Sequence, residues 1–194
     1  MVTVDVVEWR CESPLPDQGD GDGVTVGRLS RARPELREVL PRRLARNARG
    51  FLARGDEGYV ATVGGRFAGW LWLSRVSHRD PWSGLRFRIA PDEAYSYAMW
   101  AEPEHRHLGV GAKLMASLLA DAKDDPALTR VYGWVDADNR EMQVLIRMVF
   151  GFTDVQQVRR ARVLHLFGVQ VPASDRPRFG PVSRAGRHSG GARS

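Results

Sequence analysis

Residues 94–123 read AYSYAMWAEPEHRHLGVGAKLMASLLADAK, and this stretch decides the fold. It divides into a strand, a tight turn of small residues and a helix. Arg106-His107-Leu108-Gly109-Val110-Gly111 forms the turn. Two glycines two apart leave backbone N–H groups uncovered by side chains. The helix expected from Gly111 points its positive end the same way, so main chain alone can hold an anion such as a pyrophosphate. Leu114, Met115, Leu118, Leu119 and Ala122 give that helix one apolar stripe. No G-x-x-x-x-G-K-S/T run is present, and the glycine spacing is not G-x-G-x-x-G. A P-loop and a dinucleotide fold are therefore set aside. By itself the turn is also compatible with a plain strand-to-helix connection.

The next segment adds a second half to the pattern. Residues 130–136 (RVYGWVD) read as another strand. Asp138-Asn139-Arg140-Glu141 follows as a helix start, with Asp138 as N-cap and Glu141 three residues on. Met142, Leu145, Ile146 and Val149 supply an apolar face, and Phe150-Gly151-Phe152 ends the helix with Gly151 just beyond it.

With both halves in view the chain resembles the GCN5-related N-acetyltransferases (GNAT). Their signature is a strand, P-x-x-R/Q-x-x-G-x-G/A, a helix, a second strand, an Asn, and a helix ending in Gly-Phe. Pro103, Arg106, Gly109 and Gly111 stand in register here, followed by Asn139, Met142, Leu145, Gly151 and Phe152. The resemblance covers residues 59–168 closely and 24–58 loosely. It implies an α/β (α+β) fold: a mixed central sheet flanked by helices, with splayed parallel central strands forming an acetyl-CoA cleft. It also implies acetyl-CoA as co-substrate and acyl transfer as chemistry. Carried over residue by residue, backbone groups of Met99, Trp100 and Ala101 would hold the pantetheine arm. His107, Leu108, Gly109, Val110, Gly111 and Ala112 would hold the pyrophosphate, and Arg106 of the motif counts among the cofactor-binding residues. Asn139 matches the family's Asn beside the cofactor arm and equally suits a helix start.

The chain departs from the family where protons are handled. The position seven residues after the Asn, often a Tyr acid, holds Ile146. The two positions where members place a carboxylate base hold Trp134 and Tyr95. Tyr95 and Tyr97 project from one face of the central strand and are the candidate catalytic residues, although both also read as packing tyrosines. Glu102 and Asp136 are the nearest carboxylates to the motif, each also readable as a solvated strand end. His105 and His107 lack partners at metal-ligand spacing, so no metal site is expected. His165 reads as a packing residue on a late strand. Trp70, Trp72 and Trp82 would line an aromatic pocket or pack in the core.

The remaining elements follow from periodicity. Residues 3–9 and 24–29 read as strands, with a turn-rich linker over 14–23 between them. Residues 34–52 form a helical segment broken at Pro41. Residues 58–63 and 66–74 form a hairpin about Gly64-Gly65, and 85–89 a short strand. Residues 155–158 and 162–168 read as a closing antiparallel pair. Residues 1–171 are expected to form one domain, with 1–23 as its N-terminal strand and linker. The net charge is +6, of which five arginines against one aspartate over 172–194 supply +4. That Pro/Gly/Ser/Arg-rich tail reads as disordered, and the near-neutral remainder gives no reason to expect specific nucleic-acid binding.

No apolar run approaches the ~18 residues of a membrane span. One cysteine, Cys11, excludes an intramolecular disulfide. The expected protein is a cytoplasmic acetyl-CoA-dependent N-acetyltransferase acting on a small amine, possible as a homodimer. A protein lysine or N-terminal acetyltransferase and a non-catalytic acyl-CoA-binding module stay open.

Overall fold

Apolar alternation along the chain builds a seven-stranded sheet. In this computed structural model the described residues are 2–16, 23–31, 35–79, 86–160, 165–166 and 169–170. In chain order the elements are β1 (Val2–Arg10), β2 (Val24–Leu29), α1 (Arg42–Arg54), β3 (Glu57–Val63), β4 (Arg66–Ser74), β5 (His78–Arg79), β6 (Arg86–Phe87) and β7 (Glu93–Ala101). Then come α2 (Val110–Asp124), β8 (Arg130–Asp136), α3 (Arg140–Val144), β9 (Thr153–Arg160), β10 (His165–Leu166) and β11 (Val169–Gln170). The sheet runs β2-β3-β4-β7-β8-β1-β9, and β5-β6 and β10-β11 are small separate pairs. Every neighbour pair in the large sheet is antiparallel except β7–β8.

Helices cover both faces. The predicted stripe of α2 is buried at Leu114, Met115, Leu118, Leu119 and Ala122, with Val110 and Ala116 added. These side chains pack with Trp9, Leu71, Val131, Ile146 and Phe152 on one face of the sheet. At roughly 1.5–3 kcal/mol for each fully buried large aliphatic side chain, α2 is held by its packing rather than its propensity. The other face is covered by α1, whose Ala48, Phe51 and Leu52 lie on Val60, Trp70, Trp72 and Tyr97. The expected break at Pro41 is present. A short 3-10 turn (Glu35–Arg37) precedes it, and α1 starts at the next residue, where the missing proline N–H costs nothing.

Two expectations are corrected, and a third lies partly outside the described residues. Of the closing pair expected over 155–158 and 162–168, residues 162–164 and 167–168 are not among those described; β9, which contains 155–158, pairs with β1, and Leu166 pairs with Val169. β1 lies between β8 and β9, a central place it can fill because Val4, Val6, Val7 and Trp9 are buried, covering both its faces. The N-cap before α3 is Asn139, not Asp138; its side chain accepts from the Met142 N–H at 3.2 Å. The final helix is not uniform. After Val144 it widens into a π-turn (Leu145–Val149), with the Phe150 N–H bonded to the Leu145 carbonyl. Trp82, most of the 14–23 linker and the 172–194 tail lie outside the described residues.

Candidate active site

The site follows from how β7 and β8 part. Their parallel pairing is limited to Glu93–Arg130, Ala94–Val131 and Tyr95–Tyr132. Ser96 Oγ donates to the Tyr132 carbonyl at 3.1 Å, and beyond that point β7 has no ladder partner on the β8 side. On its other edge β7 bulges: Trp72 faces Tyr97, but Trp70 faces Trp100, so β7 has one residue more than β4. The extra residue brings Ala98 to φ 55°, the one non-glycine residue with positive φ among those described. Strain of this kind persists only where the surrounding sheet enforces it.

The opening between the strands is a cleft of about 520 Å³ that passes through the sheet. On the α2 face its lining is apolar: Met99, Met115, Val135, Met142, Ile146 and Phe152. On the α1 face it is aromatic and polar: Leu44, Asn47, Trp70, Tyr97, Trp134 and Asp136. Alternation along β8 produces this split, because Trp134 and Asp136 share one side of the strand and Val135 the other. The α1 face is roofed by one ion pair, with Arg43 Nη2 2.6 Å from Glu102 Oε1 just past the end of β7.

The glycine turn lies at the end of the cleft. Pro103–Leu108 form a 3-10 helix, and Gly109 at φ 70° turns the chain into α2. The first N–H groups of α2 have no intrahelical acceptor and face outward at the positive helix end. A Cβ on Gly111 would lie 3.1 Å from Met99 Cε, so a side chain here would have to push the end of Met99 aside by a few tenths of an ångström. Arg106 is already engaged: Nε donates to the Ala101 carbonyl at 3.2 Å, and its guanidinium lies over the Trp100 ring. Of the candidate cofactor residues, Met99, Trp100 and Asn139 line the cleft. Ala101 ends β7, and residues 106–112 form the turn beyond it. Asn139 serves both as helix cap and as cleft wall.

The two candidate tyrosines have different environments. Tyr95 is fully buried, stacked between Phe87 and Tyr97, and does not line the cleft. Tyr97 does. Its hydroxyl donates to Asp56 Oδ2 at 2.7 Å and accepts from Arg54 at 2.9 Å. Burial first, then the bond and charge of Asp56, push the Tyr97 phenol above its ordinary value. Burial, reinforced by the charge of Asp138, pushes the Asp136 carboxyl up as well. His105 and His107 belong to the 3-10 helix outside the cleft, and no group of metal-ligating side chains occurs among the described residues. Sequence reading did not find Ala98, Arg43, Leu44 or Asn47. The AMW run of β7 carries no mark of a bulge, and the α1 residues reach the cleft only through tertiary packing.

A parallel strand pair that opens at a bulge, beside a helix N-terminus carrying a glycine turn, is the arrangement that the resemblance to the GCN5-related N-acetyltransferases implied. The family model described as the acetyltransferase (GNAT) family matches residues 27–152, and the chain belongs to that family. Solved structures share the fold. A tandem GNAT protein from the clavulanic acid biosynthesis pathway matches at TM-score 0.54 and 16% identity, over 81% of this chain and 51% of its own. A GCN5-related N-acetyltransferase from Kribbella flavida matches at TM-score 0.51 and 15% identity, over 78% of this chain and 54% of its own. AAC(6')-Iy, solved with the bisubstrate analog CoA-S-monomethyl-acetylneamine, matches at TM-score 0.52 and 12% identity, over 73% of this chain and 98% of its own. Against three further matched structures the chain spans only 48% to 62% of their length. A search of curated proteins found no match. No helix among the described residues is long and apolar enough to cross a membrane.

Proposed function

We propose that this protein transfers an acetyl group from acetyl-CoA to a primary amine of a small molecule, in the cytoplasm, with residues 1–171 acting as one unit. The observation that carries this reading is the cleft crossing the sheet, apolar toward the glycine turn and polar toward α1. The residues fit the donor. Gly109 and Gly111 keep the turn clear of side chains, so that backbone N–H groups within residues 107–112 can hold the pyrophosphate, with Met99 packed against Gly111. Met99, Met142 and Ile146 offer an apolar channel for the pantetheine arm, with Asn139 beside it. Acetyl-CoA supplies an activated thioester. In this reading, backbone groups of Met99, Trp100 and Ala101 that face away from β4 hold the arm, and an N–H among them donates to the carbonyl oxygen as charge develops there.

The amine must lose a proton before it attacks. Asp136 is the carboxylate that lines the acceptor side, and its raised pKa brings it closer to neutral pH, as a general base requires. Tyr97 lines the wall, while its hydroxyl is held by Asp56 and Arg54. With Ile146 where a phenol acid would stand, solvent entering from the α1 face protonates the departing thiolate. The Arg43–Glu102 bridge roofs the acceptor side, which favours a small molecule over a protein surface.

Titration calorimetry with acetyl-CoA, followed by a free-thiol assay over a panel of amines and peptides, tests the reading. Binding with thiol release on an amine is the expected outcome. Binding without turnover on any acceptor would leave an acyl-CoA-binding module, a reading favoured by the apolar Ile146. No binding would overturn both.

A further inference from the structure

The wall on the acceptor side has a composition that acyl transfer does not itself demand. Trp70 on β4, Tyr97 on β7 and Trp134 on β8 line the cleft where it opens toward α1, with Leu44 of α1 beside them. Phe51 packs edge-on to Tyr97 at 5.3 Å between ring centroids and tilted against Trp70 at 6.2 Å, and Trp72 packs edge-on to Trp70 at 5.6 Å. Rings interlocked in this way hold the wall rigid. Trp134 is the partly exposed member of these three rings and lines the cleft.

Charge is sparse by comparison. Among the described lining residues, Asp136 is the only carboxylate and Arg43 the only cation, and Arg43 is already paired with Glu102. Asp136 follows Trp134 on the same side of β8, about 7 Å further along the strand. A polycation entering here meets one negative charge and several apolar rings, a poor exchange for the hydration it would lose.

We infer that the acceptor is a primary monoamine on a flat apolar body, an arylalkylamine, with its ammonium at Asp136 and its ring against Trp134. This inference rests on the transferase reading and adds the acceptor class to it. Asp136 is then the charged anchor as well as the proton acceptor, and Trp134 is a specificity-determining residue that does not touch the thioester.

The test uses the full chain saturated with CoA and titrated by calorimetry with 2-phenylethylamine, propylamine, spermidine and an aminoglycoside. Initial rates with acetyl-CoA are then measured on the same amines and on a lysine peptide. The expected result is that 2-phenylethylamine binds at least about tenfold more tightly than propylamine, as burial of an added apolar group in a shaped pocket requires. Trp134→Ala should erase that preference with acetyl-CoA affinity within about twofold of wild type, the normal variation for a residue off the cofactor path. Trp134→Phe should retain most of the preference, which guards against misfolding as the cause. Asp136→Asn should weaken both monoamines alike. Tighter binding of spermidine or the aminoglycoside, turnover on the lysine peptide alone, or an undiminished preference in Trp134→Ala would overturn the acceptor class while leaving the transferase standing. Failure to bind acetyl-CoA, or binding with no amine turned over, would instead remove the transferase reading and this inference with it.

Discussion

At the scale of single residues, the glycine turn was legible because its chemistry is local. Gly109 at φ 70° has open space where a Cβ would point, so a side chain there strains the backbone without a clash. Gly109→Arg should remove acetyl-CoA binding in calorimetry while far-UV circular dichroism stays native. Gly109→Ala, which carries only the roughly 1 kcal/mol backbone penalty, should keep most of the affinity. Normal binding by the arginine variant would move the phosphate site elsewhere. Asp136 gives a prediction in pH. Its folded pKa lies above the ordinary 3.8 because burial disfavours the charge, so the ionised group opposes folding once pH exceeds that value. Asp136→Asn should raise the unfolding midpoint at pH 7, with the gain shrinking as pH falls toward 3.8, while acyl transfer drops at every pH. A midpoint gain that is independent of pH would refute the burial argument. Ala98 was not legible. A bulge is a property of two strands in register, and one strand's alternation does not encode it.

At the scale of elements, the strand-turn-helix and strand-helix halves were readable because periodicity and caps act within a few residues. The π-turn was not. It carries Ile146 and Phe150 into the core beside α2, and which residues such a turn must bury is set by tertiary packing that the local pattern does not record. The cap moved by one residue for a similar reason: Asp138 and Asn139 both suit the position, and the backbone chose Asn139, whose side chain also faces the cleft. The α1 roof supplies the prediction at this scale. Arg43→Ala removes an ion pair whose arginine side chain is 61% exposed, so stability should change by less than about 1 kcal/mol. The Michaelis constant for the amine should rise severalfold while acetyl-CoA affinity is unchanged, because the roof lies over the acceptor side alone. Equal effects on both substrates, in a steady-state matrix of the two, would mean that α1 orders the whole cleft.

At the scale of the molecule, the decisive feature is the placement of β1. Its sequence announces a strand, but the choice of neighbours is made by long-range burial, which local pattern does not record. Through Val7 the strand reaches the cleft, so the far N-terminal segment helps build the site that the glycine motif defines. One carboxylate fastens it there. Asp5 accepts from Gln143 and Gln157 at 2.9 Å each and from Arg147 at 3.1 Å, joining β1 to the last helix and to β9. Burial alone would raise its pKa. The hydrogen bonds from Gln157, Gln143 and Arg147, with the arginine charge, outweigh it and hold the carboxyl below 3.8. A depressed carboxylate stabilises the fold above its unfolded pKa and loses that contribution as pH falls through the folded value. Asp5→Ala should therefore lower stability at pH 7 by about 1–3 kcal/mol, the range for a hydrogen-bonded charge whose partners are left unmet. The deficit relative to wild type should narrow as pH falls below 3.8, read by urea unfolding at matched pH values. A deficit of the same size at every pH would mean that shape, not charge, secures β1. No deficit at all would mean that the strand is held by Val4, Val6, Val7 and Trp9 alone, and the link from the N-terminal strand to the last helix would carry no energy.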